Sequence, residues 1–442
     1  MGRLFGTDGV RGIAGTELTA DLARGLGRAA VQVLGDDHAG PPAFVVGRDP
    51  RSSGVWLEEA LVEGVTEAGG HVLLAGIEPT PAVAFLAVDM GASAGIVISA
   101  SHNPAEHNGI KFFAGDGFKL PDEQEDAIEA ALHGDGRSAE PGNVSQIGEE
   151  GRTRYLAHLE NAAEARLDGV VVVVDCANGA ASQVAPELYR RLGATVHAIH
   201  ADPDGENIND RCGTQHPEVV AAEVVRLGAD AGVSHDGDAD RALFASADGE
   251  VIDGDQALAA FALALHGEGR LPRDTVVTTV MANFGFIRAM RDAGVRVVTT
   301  TVGDRYVVEE MLRAGAELGG EQSGHLLFLD QATTGDGLLT AVRFLSLAVR
   351  KGVAISELAA SMRRYPQVMI NVPVPDREAL VDAITVEEAV AAAESDLGDT
   401  GRVLVRASGT ENVIRVMVEA ESEELASAHA EALASVVRAD LA

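Results

Sequence analysis

At 442 residues the chain is too long for one ordinary hydrophobic core, and length alone divides it into roughly three or four domains of about 100–150 residues. Its 34 basic and 68 acidic residues leave a formal net charge of −34, which excludes nucleic acid and anionic membrane surfaces as partners because their phosphates would be repelled. Hydrophobic residues make up 46% of the chain and aromatics only 4%, so the cores rest on Ala, Val, Leu and Ile, and no run of about 18 apolar residues is present to span a membrane.

Periodicity predicts a threefold internal repeat. Apolar, β-rich runs at 43–46, 170–174 and 275–280 each lead through a loop into an amphipathic helical stretch. Glycines at 69–70, 193 and 294 fall where helix C-caps are expected, and each introduces another strand, at 71–74, 195–199 and 295–299. A second helix follows in every unit, then a third strand segment opening at Gly91, Gly228 and Gly315. Residues 134–151 read as a linker. After a long helix from Gly337 the pattern changes: 365–375 is extended and broken by prolines, and 401–405 and 413–419 read as strands flanked by helices. Strands alternating with helices at this spacing imply parallel or mixed sheets whose ligands sit outside the carboxyl ends of the strands. The expected architecture is three similar α/β domains with mixed, helix-covered sheets at 1–150, 151–250 and 251–364, plus a smaller α+β domain at 365–442, around a central cleft. Cys176 and Cys212 fit neither a disulfide framework nor a metal-finger spacing, and the N-terminus has no apolar signal core, so a cytoplasmic location is expected.

Four loops carry the chemistry. The first is Ser99-Ala100-Ser101-His102-Asn103-Pro104, running on to Lys111; a hydroxyl beside an imidazole and near a lysine reads either as a nucleophile with its acid–base groups or as turn chemistry before a proline. No Gly-x-Ser-x-Gly surrounds Ser101, which argues against a serine hydrolase. The second, Asp236-Gly237-Asp238-Ala239-Asp240-Arg241, sets carboxylates at i, i+2 and i+4 after an apolar strand. Such a set folds around a hard cation, and without one the repulsion would be costly. Arg241 stands where an EF-hand needs glycine. The third, Gly320-Glu321-Gln322-Ser323-Gly324-His325, offers a carboxylate and a hydroxyl to sugar hydroxyls, and reads equally as a strand-terminal turn. The fourth, Arg406-Ala407-Ser408-Gly409-Thr410-Glu411 with Arg415 shortly after, suits a phosphate monoester dianion. Only three lysines occur, Lys111, Lys119 and Lys351, so an arginine in a motif carries more weight than usual.

At these four loops, and at its opening Phe5-Gly-Thr-Asp-Gly-Val-Arg11-Gly, the chain resembles the α-D-phosphohexomutase superfamily and, within it, the bacterial phosphoglucosamine mutases. The resemblance runs over essentially the whole length. It implies an intramolecular phosphotransferase that interconverts glucosamine 6-phosphate and glucosamine 1-phosphate through glucosamine 1,6-bisphosphate. The product would supply amino-sugar nucleotide and peptidoglycan precursor synthesis. By the same resemblance Ser101 is the phosphorylated serine, and Ser101, Asp236, Asp238 and Asp240 hold one Mg²⁺. Glu321 and Ser323 contact the sugar, while Arg406, Ser408, Gly409, Thr410 and Arg415 grip the phosphate that is not reacting. Arg11, His102, Lys111 and Arg241 are candidates for charge stabilisation and proton transfer. Asn412 stands where the family commonly has proline. The nearest alternative is a phosphoglucomutase or phosphomannomutase of the same superfamily. A metal-dependent phosphatase would have no use for a second phosphate clamp, and a sugar-phosphate sensor could dispense with Ser101. Expected partners are small phosphosugars, with the chain a monomer or homodimer.

Overall fold

The computed structural model describes residues 3–6, 8–35, 41–132, 134, 140–408 and 411–441, and divides them into two compact units. One comprises Met1–Val280 with Val295–Ala360, the other Met281–Gly294 with Ser361–Ala442.

The first unit contains three sheets with one recurring topology. The strands of the first are β1 (Val10–Ile13), β2 (Ala43–Arg48), β3 (His71–Ile77), β4 (Ala94–Ile98), β5 (His107–Ala114) and β6 (Val144–Gln146), in the order β1-β5-β4-β2-β3-β6. The second holds β7 (Val171–Asp175), β8 (Thr195–Ile199), β9 (Ala231–His235), β10 (Ala242–Ser246) and β11 (Val251–Ile252), ordered β11-β10-β9-β7-β8. The third holds β12 (Thr275–Thr279), β13 (Arg296–Thr300), β14 (Leu318–Gly320) and β15 (Leu326–Phe328), ordered β13-β12-β14-β15. In each, the first parallel strand lies between the second and third, and the third pairs antiparallel with the strand that follows it. The expected repeat is therefore present, and each repeat turns back on itself at one equivalent loop.

Burial accounts for this geometry. All five residues of β4, of β9 and of β12 are buried, as strands covered on both faces must be. Among the covering helices, Gly337–Lys351 buries its first twelve residues and is capped by Asp336, whose carboxylate accepts from Leu339 N–H at 2.9 Å. Of the three anticipated cap glycines, Gly294 is the left-handed cap itself at φ 79°, whereas Gly69 and Gly193, at φ 89° and 100°, sit one residue beyond the caps Ala68 and Leu192.

Two expectations need correction. The 134–151 segment is more than a linker, because β6 adds to the edge of β3 and the helix Gly148–Ala162 begins before the segment ends. All three residues of β6 are exposed, so no buried face marks the strand in the sequence. Lys111 lies within β5 opposite Val97, not on the Ser101 loop itself.

In the second unit, β16 (Gln367–Pro373), β17 (Gly401–Ala407) and β18 (Val413–Ala420) form an antiparallel sheet in the order β16-β18-β17. Val372, Val403, Ile414, Val416 and Val418 pack with Val386, Leu397, Ala430, Leu433 and Val437 of the helices Ile384–Leu397 and Glu423–Leu441 into its core.

Candidate active site

The three equivalent loops of the first unit are the three that the sequence singles out. Ser101 follows β4, Asp236–Asp238–Asp240 follow β9, and Glu321 and Ser323 follow β14. Serine and aspartates meet: Ser101 Oγ donates to Asp236 Oδ2 at 2.7 Å. The two loops touch through their backbones, and a Cβ at Gly237 would stand 2.5 Å from the Ser101 carbonyl oxygen, so only glycine fits.

Ser101 is held rigidly in a conformation its side chain disfavours, at φ 52°. Buried Arg51 supplies much of the restraint. Its guanidinium donates to the carbonyls of Ser101 at 3.0 Å, of Asn103 at 2.8 Å and of Pro104, and its Nε to Asp49 at 2.9 Å. Asn209 Nδ2 donates to the same Ser101 and Asn103 carbonyls at 2.9 and 3.1 Å. Neither residue carries a sequence signal beyond its neighbourhood in space.

The donor oxygens of Asp236, Asp238 and Asp240 all lie within 4.8 Å of one another, and the three residues are buried. Asp238 Oδ1 and Asp240 Oδ1 find no hydrogen-bond partner. Burial, then Asp240 and Asp238, push the Asp236 carboxyl well above its ordinary range. Three crowded carboxylates with orphaned oxygens are stable as anions when a cation shares them, and an all-oxygen set suits a hard divalent ion. The residues present fit Mg²⁺.

Around this centre runs a chain of alternating charges drawn from all three repeats. Lys111 Nζ lies 2.8 Å from Asp238 and 3.0 Å from Asp8; Asp8 also pairs with Arg11 and Lys119, and Lys119 with Asp304. His325 closes it, with Nε2 3.6 Å from Asp304 and Nδ1 3.6 Å from Asp240. Burial alone would lower Lys111, but Asp238 and Asp8 outweigh it and raise the ammonium above its ordinary value. For His325 burial is likewise outweighed, by Asp240, Asp304 and Glu321, and the imidazole rises to about 9. For His102 the balance goes the other way: burial, then Arg241 and Arg11, outweigh Asp240 and Asp238 and push it down to about 4, and its Nδ1 lies 3.3 Å from Ser101 Oγ.

These groups border a cleft of about 410 Å³ whose walls include Arg11, Ser101, His102, Asp240, Arg241 and Glu321, all singled out in the sequence. Lys111, Asp236 and Asp238 lie buried behind those walls, and Ser323 Oγ is buried without a partner. Asp8, Asp304 and His325 also border the cleft and were not named beforehand as site residues. Asp8 sits inside the opening motif and His325 ends the third loop, so both had a positional signal; Asp304, at the start of a helix after β13, had none.

In the second unit Arg406 and Arg415 are direct cross-strand partners on β17 and β18. Burial and the neighbouring Arg415 lower the Arg406 guanidinium from its ordinary value. Arg377, not foreseen, donates to the Ser408 carbonyl at 2.8 Å, and Ser408 Oγ accepts from Glu411 N–H at 3.4 Å. Gly409 and Thr410 lie outside the described residues. Two opposed guanidiniums beside a Ser-bearing loop repel one another and form a donor set of the kind that suits an anion.

A serine set on a carboxylate cluster in a cleft walled by arginines is the apparatus of phosphoryl transfer. Comparison with known proteins agrees. Phosphoglucomutase/phosphomannomutase domains match in series: alpha/beta/alpha domain I over residues 2–137, domain II over 153–249, domain III over 253–365 and the C-terminal domain over 369–436. The chain is 52% identical over 446 residues to a phosphoglucosamine mutase of Thermobifida fusca, covering 100% of this chain and 99% of that one. It is also 52% identical over 443 residues to a phosphoglucosamine mutase of Rhodococcus opacus, with 99% of each covered. Among solved structures, a phosphoglucomutase/phosphomannomutase family protein from Burkholderia thailandensis superposes with a TM-score of 0.83 at 26% identity, over 99% of this chain and 97% of that one. An Aspergillus fumigatus N-acetylphosphoglucosamine mutase, solved with GlcNAc-6P and magnesium, shares the fold with a TM-score of 0.70 at 19% identity, over 99% and 96%. The chain belongs to the phosphoglucomutase/phosphomannomutase family, in its phosphoglucosamine mutase branch.

Proposed function

We infer that the chain is an isomerase of carbohydrate metabolism that interconverts glucosamine 6-phosphate and glucosamine 1-phosphate, with Ser101 as phosphoryl carrier. The observation that carries the reading is the Ser101 hydroxyl, 2.7 Å from a carboxylate of the buried aspartate triad and in one cleft with Arg11, Arg241 and Glu321. A phosphoryl group on Ser101 passes to the free hydroxyl of the sugar phosphate: the P–Oγ bond breaks as the bond from phosphorus to the sugar oxygen forms. The sugar hydroxyl gives up its proton to a base, and Ser101 Oγ takes one back. The resulting 1,6-bisphosphate turns over and returns its other phosphoryl group to Ser101.

Asp236, Asp238 and Asp240, with Ser101, would hold one Mg²⁺, which would supply positive charge for the transferring phosphoryl group. Arg11 and Arg241 add fixed positive charge at the cleft wall. Lys111, clamped between Asp238 and Asp8, serves as charge and not as base, since its proton is held more tightly than a free lysine's. Of the four candidates, His102 is the one held neutral at physiological pH and adjacent to Oγ, which supports it as the proton acceptor. Glu321 and Ser323 receive sugar hydroxyls. Arg406, Ser408 and Arg415, with Gly409 and Thr410, hold the distal phosphate in both orientations of the bisphosphate.

Amino-sugar preference follows from charge. An ammonium at C2 gains charge-assisted hydrogen bonds in a cleft bearing Asp8, Asp304 and Glu321, where a hydroxyl gains less. Metal and phosphate contacts are common to all hexose phosphates, so the preference is about 1–3 kcal/mol, and glucose 1-phosphate is a slow substrate. Comparing kcat/KM for glucosamine, glucose and mannose phosphates on one preparation tests this. Equal use of a neutral hexose phosphate would reassign the chain to glucose or mannose.

A further inference from the structure

Beneath the loop that grips Ser101 lies a second cluster of ligating side chains with different chemistry. Asp175 ends β7 and is paired in register with Ile199 of β8, so His200 follows directly beside it; Cys212 returns to the same place just before Gly213. One ligand atom from each of Asp175, His200 and Cys212 lies within 4.8 Å of the others. Asp175 and Cys212 are fully buried, and the His200 side chain is one-third exposed.

We propose that Asp175, His200 and Cys212 form a second metal site, of zinc type, that pins the base of the loop gripping Ser101. Oxygen, nitrogen and sulfur in one set favour a borderline-soft cation in tetrahedral coordination, whereas the all-oxygen triad favours a hard one. The spacing suits it. His200 Nδ1 stands 3.1 Å from Asp175 Oδ1 yet is buried without an aligned hydrogen-bond partner, and about 3.3 Å separates neighbouring ligands on a tetrahedral zinc. Asp175 is oriented as a ligand should be, its Oδ1 accepting from Ala177 N–H and its Oδ2 from Gly213 N–H, each at 2.9 Å. The His200 side chain, one-third exposed, is the member of the set that meets solvent.

Cys212 binds a metal as the thiolate, so binding releases its proton to solvent and strengthens as pH rises. What the site would control is visible in the loop it closes. Between His200 and Cys212 the chain carries Asn209, whose amide holds the Ser101 and Asn103 carbonyls, and whose N–H donates to Ala177 two residues from Asp175. The reading is independent of which sugar phosphate is the substrate.

Cobalt(II) titrated into the intact chain with Mg²⁺ in excess provides the test, because carboxylate-bound cobalt gives no thiolate charge-transfer band. Wild type and Cys176→Ser should show that band at one equivalent, together with the visible bands of tetrahedral cobalt, and Cys212→Ser should show neither. His200→Ala should weaken cobalt binding by at least ~10-fold. Zinc should raise the melting temperature of the wild type and leave that of Cys212→Ser unchanged, while Cys212→Ser keeps its Mg²⁺-supported turnover. Absence of the band at saturating cobalt, or its persistence in Cys212→Ser, overturns the proposal; so does an equal zinc stabilisation of both proteins.

Discussion

Ser101 is asked to do two things that conflict: to present its oxygen to Asp236 and to sit at φ 52°, where a Cβ is unwelcome. The conflict is settled by Arg51 and Asn209, which hold its carbonyl from two sides. A separable prediction results. Ser101→Ala and Ser101→Gly should both reduce turnover to background, yet the glycine variant should be the more stable by about 1 kcal/mol, since it alone is relieved of left-handed strain. Denaturant melts of the two proteins decide, and an alanine variant as stable as the glycine variant would mean the strain is absent. His102 poses the companion question. Its ring is held neutral by burial beside Arg241 and Arg11, with a pKa of about 4. Because that value lies below the ordinary histidine value of about 6.5, the unfolded chain binds the proton first. The stability tied to this group is thus complete above pH 6.5 and is lost as pH falls toward 4. His102→Asn should lower kcat by ~10²-fold, and the imidazole resonance should titrate near pH 4. A midpoint above the pH of maximal turnover, which would leave the ring already protonated, would remove His102 as the base.

At the scale of elements, catalysis is assembled by repetition. Each sheet of the first unit reverses direction between its third parallel strand and the next, and each reversal delivers one loop: Ser101 after β4, the aspartates after β9, Glu321 after β14. In the second unit the equivalent economy is a cross-strand pair. Arg406 and Arg415 face each other on β17 and β18, a like-charge contact that costs stability until an anion arrives. Arg415→Gln should therefore leave the melting temperature unchanged or slightly higher, while kcat/KM falls ~10–100-fold in both directions of the reaction, as loss of one charge-assisted bond of about 1.5–3 kcal/mol requires. Loss in one direction alone would contradict a clamp shared by both orientations. Reversal loops of this kind are legible in sequence because each follows a fully buried strand and concentrates hydroxyl, carboxylate or imidazole groups within a few residues. What escaped notice was structure without a local pattern. β6 is exposed at all three residues, Arg377 reaches the Ser408 carbonyl from elsewhere in the chain, and the pairings of Asp8 with Lys119 and Lys119 with Asp304 join residues 111 and 185 positions apart. Periodicity reports burial along one element; it carries no information on which charged groups meet across elements.

For the whole molecule the governing quantity is the net charge of −34. With 34 basic groups against 68 acidic ones, even complete pairing leaves half of the carboxylates without a cation, so the folded chain is loaded with uncompensated repulsion. Two opposing effects of salt follow. Screening weakens the surface ion pairs, but exposed pairs such as Arg166–Asp168 or Arg313–Glu310 contribute little, because water already screens them. Screening also relieves repulsion summed over the whole surface, and the Debye length shrinks from about 30 Å at 0.01 M to about 8 Å at physiological ionic strength, which spans the spacing of surface carboxylates. The buried pairs, Lys111 with Asp238 and Arg51 with Asp49, are sheltered from this change. Relief of repulsion should win. The melting temperature, measured at constant pH and constant Mg²⁺, should rise by several degrees as KCl goes from ~0.01 to ~0.5 M, with most of the gain below ~0.2 M. A choline salt should reproduce the gain, since the effect is screening and not occupancy of a cation site. A melting temperature that falls with salt would show instead that the surface ion pairs act as a cooperative network worth more than their separate contributions.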